Sequence, residues 1–166
     1  EGRIAEACAK FDESLQLLRR GGTLLNLAVC REQEHRYALA FRLFAEARGL
    51  ASDDGQRERE SLALEHMASL RQHIAWLTVA RPAALDTQDL RLEEDGEHVA
   101  AKHWGVPHPV ELGTHTVVVT RPGYVRFATT VVLPTGGESR VIEIPPLVEP
   151  LSGEPATSAR QTSSDH

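Results

Sequence analysis

Eight histidines, two cysteines and the carboxylate run Glu93-Glu94-Asp95 are the residues of this chain best suited to chemistry. His98, His103, His108 and His115 follow one another at spacings of five, five and seven, which match no compact metal-ligand motif. They fall on different predicted strands and loops, so structural roles are expected of them, and no metal. His115 stands at a strand entrance, where its ring can close a turn by bonding a backbone group. A catalytic base there would need a nucleophile or carboxylate beside it, and none is near in sequence. His66 and His73 lie seven apart on one predicted helix, about 10 Å by helical rise and too far for one ion without other ligands. They read as solvated. Residues Glu93 to Asp95 alternate in direction and describe a solvated hairpin tip. Trp104, close to Lys102 and Gly105, is expected to pack over the end of a β-domain.

Motifs that would organise such residues into an active site are missing from the chain. It has no Gly-rich phosphate loop, no G-x-S-x-G elbow, no H-E-x-x-H and no C-x-x-C, so neither an enzyme nor a cofactor is expected. With 24 acidic against 18 basic residues, the formal charge of -6 argues against a nucleic-acid partner. A hydrophobic fraction of 41% and a charged fraction of 25% are those of a globular protein. No window approaches the roughly 18 apolar residues of a membrane helix, and the start has no secretory signal pattern. The chain begins at Glu1 rather than Met, as expected of a fragment or processed product.

The composition shifts near Trp76, from Ala, Leu, Glu and Arg with helical periodicity to Val, Thr, Pro and Gly with alternation. Ile4, Ala7, Cys8, Phe11, Leu15 and Leu18 share a face of a first helix, which the Gly21-Gly22 pair is expected to end. Thr23 is the expected cap of a second helix carrying Leu24, Leu27, Ala28 and Arg31. A third runs from about Tyr37 to Leu50, and a fourth from Gln56 to about Ala75, with the stripe Ala63, Met67, Leu70, Ile74 and Leu77. Strands are expected at Leu77 to Arg81, Asp89 to Glu93, His98 to Ala100, Val110 to Leu112, Thr116 to Arg121, Val125 to Leu133 and Arg140 to Ile144. Turn signals such as Asp95-Gly96, Pro122-Gly123 and Gly136-Gly137 separate them. The domains so drawn are 1–75 helical, 76–147 β, and 148–166 a disordered tail rich in Ser, Thr, Pro and Gly.

Ala7, Phe11 and Ser14 recur as Ala40, Phe44 and Ala47, each 33 residues later, close to the tetratricopeptide period of about 34. The segment from Leu24 to Ala47 resembles one tetratricopeptide repeat, although Arg31 stands where that family prefers an aromatic residue and His35 near a turn where it prefers Gly. The run Leu112-Gly113-Thr114-His115 through Val119, then Pro122-Gly123-Tyr124, Thr130 to Leu133 and Gly136-Gly137, resembles a PEGA domain. The fold class implied is α+β multidomain: a tetratricopeptide-like helical array with a long capping helix, then a small antiparallel β-sandwich. The combination is similar to envelope-associated proteins of bacteria such as the myxobacteria.

The resemblance implies a non-enzymatic protein–protein interaction scaffold of the bacterial cell envelope, with a protein or peptide ligand. Its peptide-binding face would offer Leu25, Asn26, Val29, Glu32 and Gln33. The alternatives are a cell-wall- or carbohydrate-binding β-domain on a helical stalk, and a self-associating module in which the long helix pairs. Location follows as periplasm or envelope, with the cytoplasm as the alternative. Cys8 and Cys30 lie on helices that such an array sets side by side. They read either as a disulfide in an oxidising compartment or as two small buried thiols.

Overall fold

The computed structural model describes residues 2–17, 20–80 and 89–150; Leu18, the strand end at Arg81 and the tail beyond 150 lie outside them. Four helices come first: α1 (Gly2–Leu17), α2 (Gly21–Gln33), α3 (Tyr37–Asp53) and α4 (Arg57–Leu70). Apolar residues at helical spacing put Leu24, Leu27 and Ala28 of α2 and Ala40, Phe44 and Ala47 of α3 in one core. The glycine pair does not end α1 but opens α2, whose N-cap is Arg20 rather than Thr23. A Cβ at Gly21 would stand 3.6 Å from that of Leu50, an ordinary contact distance, so α2 starts against the end of α3.

Helices α2 and α3 close in the same way. Arg36 N–H reaches Arg31 O at 2.9 Å across His35, and Gln56 N–H reaches Ala51 O at 2.7 Å across Gly55. Both central residues are left-handed, with φ of 59° at His35 and 67° at Gly55. The second is the usual glycine choice; the first places a Cβ where few side chains sit.

Two links fasten α1 to α2. Cys8 and Cys30 are joined by a disulfide with Cα atoms 5.6 Å apart, and Arg31 bonds Asp12 of α1 and Glu34 of its own turn. Burial works against the Arg31 charge, but Glu34 and Asp12 outweigh it and hold the guanidinium pKa above its ordinary value. Arg31 thus fills its site as an ion-paired strut, whereas an aromatic residue would fill it as a wedge.

The fourth helix is shorter than its apolar stripe. It stops at Leu70, a 3-10 turn covers Arg71–His73, and β1 (Ile74–Val79) begins. Ile74 therefore continues the helical core from a strand, while Leu77 belongs to a second core. The other strands are β2 (Arg91–Glu94), β3 (Glu97–Val99), β4 (His108–Glu111), β5 (Gly113–Thr120), β6 (Phe127–Leu133) and β7 (Ser139–Ile142). They make two sheets, ordered β4-β1-β7 and β3-β2-β5-β6. Leu77 and Val79 of the first pack with Leu92, Val117, Val119 and Leu133 of the second. The arrangement is α+β, but not wholly antiparallel: β7 runs parallel to β1, with Trp76 opposite Ser139 and Val79 opposite Ile142. The chain leaves the second sheet after β6 and crosses to the free edge of β1. Segment 143–148 stays on the body, since Ile144 is buried and Val125 N–H reaches Val148 O at 2.8 Å.

The helix-to-sheet junction leaves no room at Gly136. A Cβ there would lie 1.8 Å from the Gln72 carbonyl oxygen, a backbone atom that cannot rotate away. Gly137 N–H to Ile74 O at 2.8 Å and Trp76 N–H to Glu138 O at 2.7 Å hold the same loop in place. Gly136→Ala is expected to destabilise the chain by about 2 kcal/mol or more through displaced backbone; urea denaturation measures it, and an unchanged midpoint would refute the close approach. Reduction of Cys8–Cys30 is expected to lower stability by about 3 kcal/mol, chiefly by freeing the unfolded chain. Denaturation curves with and without reductant, with thiol labelling to verify the redox state, check this figure.

Candidate ligand-binding cleft

The face proposed for peptides on α2 is mostly occupied. Leu25 is buried in the helical core and Val29 packs against that core. Glu32 accepts from His66 Nδ1 at 2.7 Å. Asn26 and Gln33 remain exposed, so the structure does not bring the five residues together as one surface. His66 is not a solvated residue either: its ring stacks on Phe44 with centroids 4.5 Å apart. His73 stacks on Tyr37 at 4.8 Å, and Tyr37 in turn meets His35 edge to face. The two helix histidines have separate partners.

A cleft opens instead between the start of α3 and the β-strands. Its first part, about 310 Å³, is lined by His35, Arg36, Leu39 and Arg42 on one side and by Glu94, Asp95, His108, Glu111 and His115 on the other. The second part, about 560 Å³, continues past Arg42, Glu94, Glu97 and His108 to His98, Lys102, His103 and Val106. The four histidines with no metal-ligand spacing thus line one cleft together with His35.

The β side is built on the β2–β3 hairpin. Asp95 and Gly96 both have positive φ, 51° and 83°, the backbone of a two-residue turn matched to strand twist. Asp95 is held twice from β5: its N–H donates to Thr116 O at 2.9 Å, and its Oδ1 accepts from Thr116 N–H at 2.8 Å. That fixes Asp95 Oδ2 at 2.7 Å from His115 Nδ1, while His115 Nε2 donates to Glu111 O at 2.8 Å. Glu94 Oε2 meets His108 Nε2 at 2.8 Å, and His108 Nδ1 faces Val106 O at 3.3 Å. The hairpin tip is therefore not simply solvated, and His115 does have a carboxylate partner, 20 residues away in sequence. Turn chemistry at Asp95-Gly96 was the available signal, but strand pairing decides which histidine it meets. Trp104 is buried at the end of the two-sheet core, its indole N–H on Val99 O at 3.1 Å.

With both ring nitrogens facing oxygen acceptors, each histidine is best satisfied as an imidazolium. Burial lowers the pKa of His115, but the Glu111 carbonyl and Asp95, with Glu94 nearby, outweigh it and raise the value. The Glu94 hydrogen bond raises His108 against burial and the Arg42 charge. Glu94, Asp95 and His115 also bring one donor atom each within 4.8 Å of one another. Of these, His115 Nδ1 and Asp95 Oδ2 are joined by a 2.7 Å hydrogen bond. On the helix side, Glu111 Oε1 accepts from Ala38 N–H at 2.9 Å, capping α3 from β4 where Arg36 offers no side-chain cap.

Among the described residues no helix is long and apolar enough to cross a membrane. Comparison with family models, curated proteins and solved structures yields no match to this chain. The sign of the pH dependence follows from the raised histidines. Both contribute stability fully below about pH 6.5, the ordinary histidine value, and lose it as pH rises through their higher folded values. The denaturation midpoint is expected to fall between pH 6 and pH 9. His108→Asn with His115→Asn should flatten that slope; an equally steep slope in the double variant would refute the assignment.

Proposed function

We propose that the chain is a non-enzymatic interaction module of the bacterial cell envelope, holding a segment of a partner protein in the cleft between its helices and sheets. In this reading α1–α4 form a tetratricopeptide-like array and β1–β7 a PEGA-like sandwich. The observation that carries it is the cleft itself: its walls come from two layers, its carboxylates Glu94, Asp95 and Glu111 are engaged by protein groups, and Leu39 and Val106 leave apolar surface between the charges. Fixed polar groups beside open apolar surface suit recognition of an extended segment. The matching left-handed closures of α2 and α3 support the array. The disulfide supports an oxidising compartment, hence the envelope over the cytoplasm.

Peptides selected from a random display library against the whole chain are expected to lose binding when Leu39→Trp fills the cleft. They should keep it in Asn26→Ala with Gln33→Ala. The reverse pattern would return the peptide site to α2, and binding indifferent to both changes would remove both faces.

A further inference from the structure

We infer that the segment taken by the cleft is acidic, its carboxylates meeting Arg36, Arg42 and Lys102; this rests on the interaction reading above and names the chemistry of the partner. The argument is one of unspent charge. Among the described residues, Glu94 is bonded to His108, Asp95 to His115 and Glu111 to the start of α3. Of the carboxylates lining the cleft, Glu97 has no partner among those residues, and Glu111 is bonded only to the neutral Ala38 N–H, so no cation compensates either charge. Arg36, Arg42 and Lys102 are exposed, and none has an ion pair or side-chain hydrogen bond to a described residue. Among the described residues the cleft thus presents three cations with no ion pair against two carboxylates with no cationic partner, Glu97 and Glu111, on a chain whose formal charge is -6. A local excess of the opposite sign on an acidic body marks a surface complementary to an anionic partner.

Spacing favours peptide carboxylates over a dense polyanion. Arg36 and Arg42 are separated by about 9 Å of helical rise, near the reach of side chains two or three residues apart on an extended strand. Leu39 lies between them on the same wall, and Val106 faces the second part of the cleft. Arg42 lines both parts, with Glu94, Glu97 and His108, and its charge acts on His108. A guanidinium holds a carboxylate through two parallel bonds, which Lys and Gln cannot reproduce.

The test is fluorescence anisotropy of the whole chain at low ionic strength. The probes are labelled hexaglutamate, hexalysine, an uncharged Ser/Gly peptide and a ten-residue oligothymidylate. Hexaglutamate is expected to bind despite the net negative body. Arg42→Gln should weaken it about fivefold, and Arg36→Glu with Arg42→Glu should abolish it while circular dichroism still shows a cooperative melt, because neither side chain has an ion pair or side-chain hydrogen bond among the described residues. Binding unaffected by these variants, or oligothymidylate bound more tightly in an Arg42-dependent way, would overturn the inference. If hexalysine or the uncharged peptide binds, sensitive to Leu39→Trp, and hexaglutamate does not, the acidic assignment fails and the interaction reading survives. If no peptide responds to Leu39→Trp, both fail.

Discussion

One six-residue strand is buried on both faces, and the molecule depends on it. Side chains of a strand alternate between its faces. Ile74 and Trp76 of β1 enter the helical core, Trp76 against Phe41 at 5.4 Å between ring centroids, while Ala75, Leu77 and Val79 enter the core between the sheets. A shift of one residue in its register would exchange the two sets and empty both cores. The helices and sheets are therefore layers on a common strand rather than beads on a linker.

The same constraint sets the polar geometry. Once β1 lies against α3, β4 beside it carries Glu111 to the α3 N-terminus, and the opposite sheet brings the β2–β3 hairpin over β4. Glu111 then serves two elements, through its carboxylate to α3 and through its carbonyl to His115. A charged acceptor at a helix start contributes about 1 kcal/mol, a small energy that aligns one wall of the cleft with the other.

Much of this fold was legible in the residues. Each of the seven strands overlaps an expected segment, with starts displaced by up to three residues, and Asp95-Gly96 forms the expected hairpin turn. Where the reading slipped, a local pattern had two solutions. Ile74 and Leu77 continue a helical stripe and also begin a strand, and only the packing against Phe41 and the second sheet chooses between them. Gly21-Gly22 can stop one helix or start the next. The cleft was less accessible still. His115 meets Asp95 across 20 residues and Ala38 meets Glu111 across 73, so neither contact leaves a trace in sequence spacing, and histidines with no ligand motif became neighbours through topology alone.

The parallel partner of β1 also bears on how the chain reaches this state. Trp76 pairs with Ser139, 139 − 76 = 63 residues later, whereas the helices close through turns of a few residues. Loop-closure entropy makes such a distant pairing slow relative to local helix contacts. The helical layer can therefore collapse with one face of β1 while the other edge waits for β7. Until that strand docks, the backbone groups of β1 on that side are a free template, open to any extended segment of matching direction. A chain that docked β7 last would thus be most exposed to wrong partners at that step, and the turn at Gly136 is what directs β7 to the open edge.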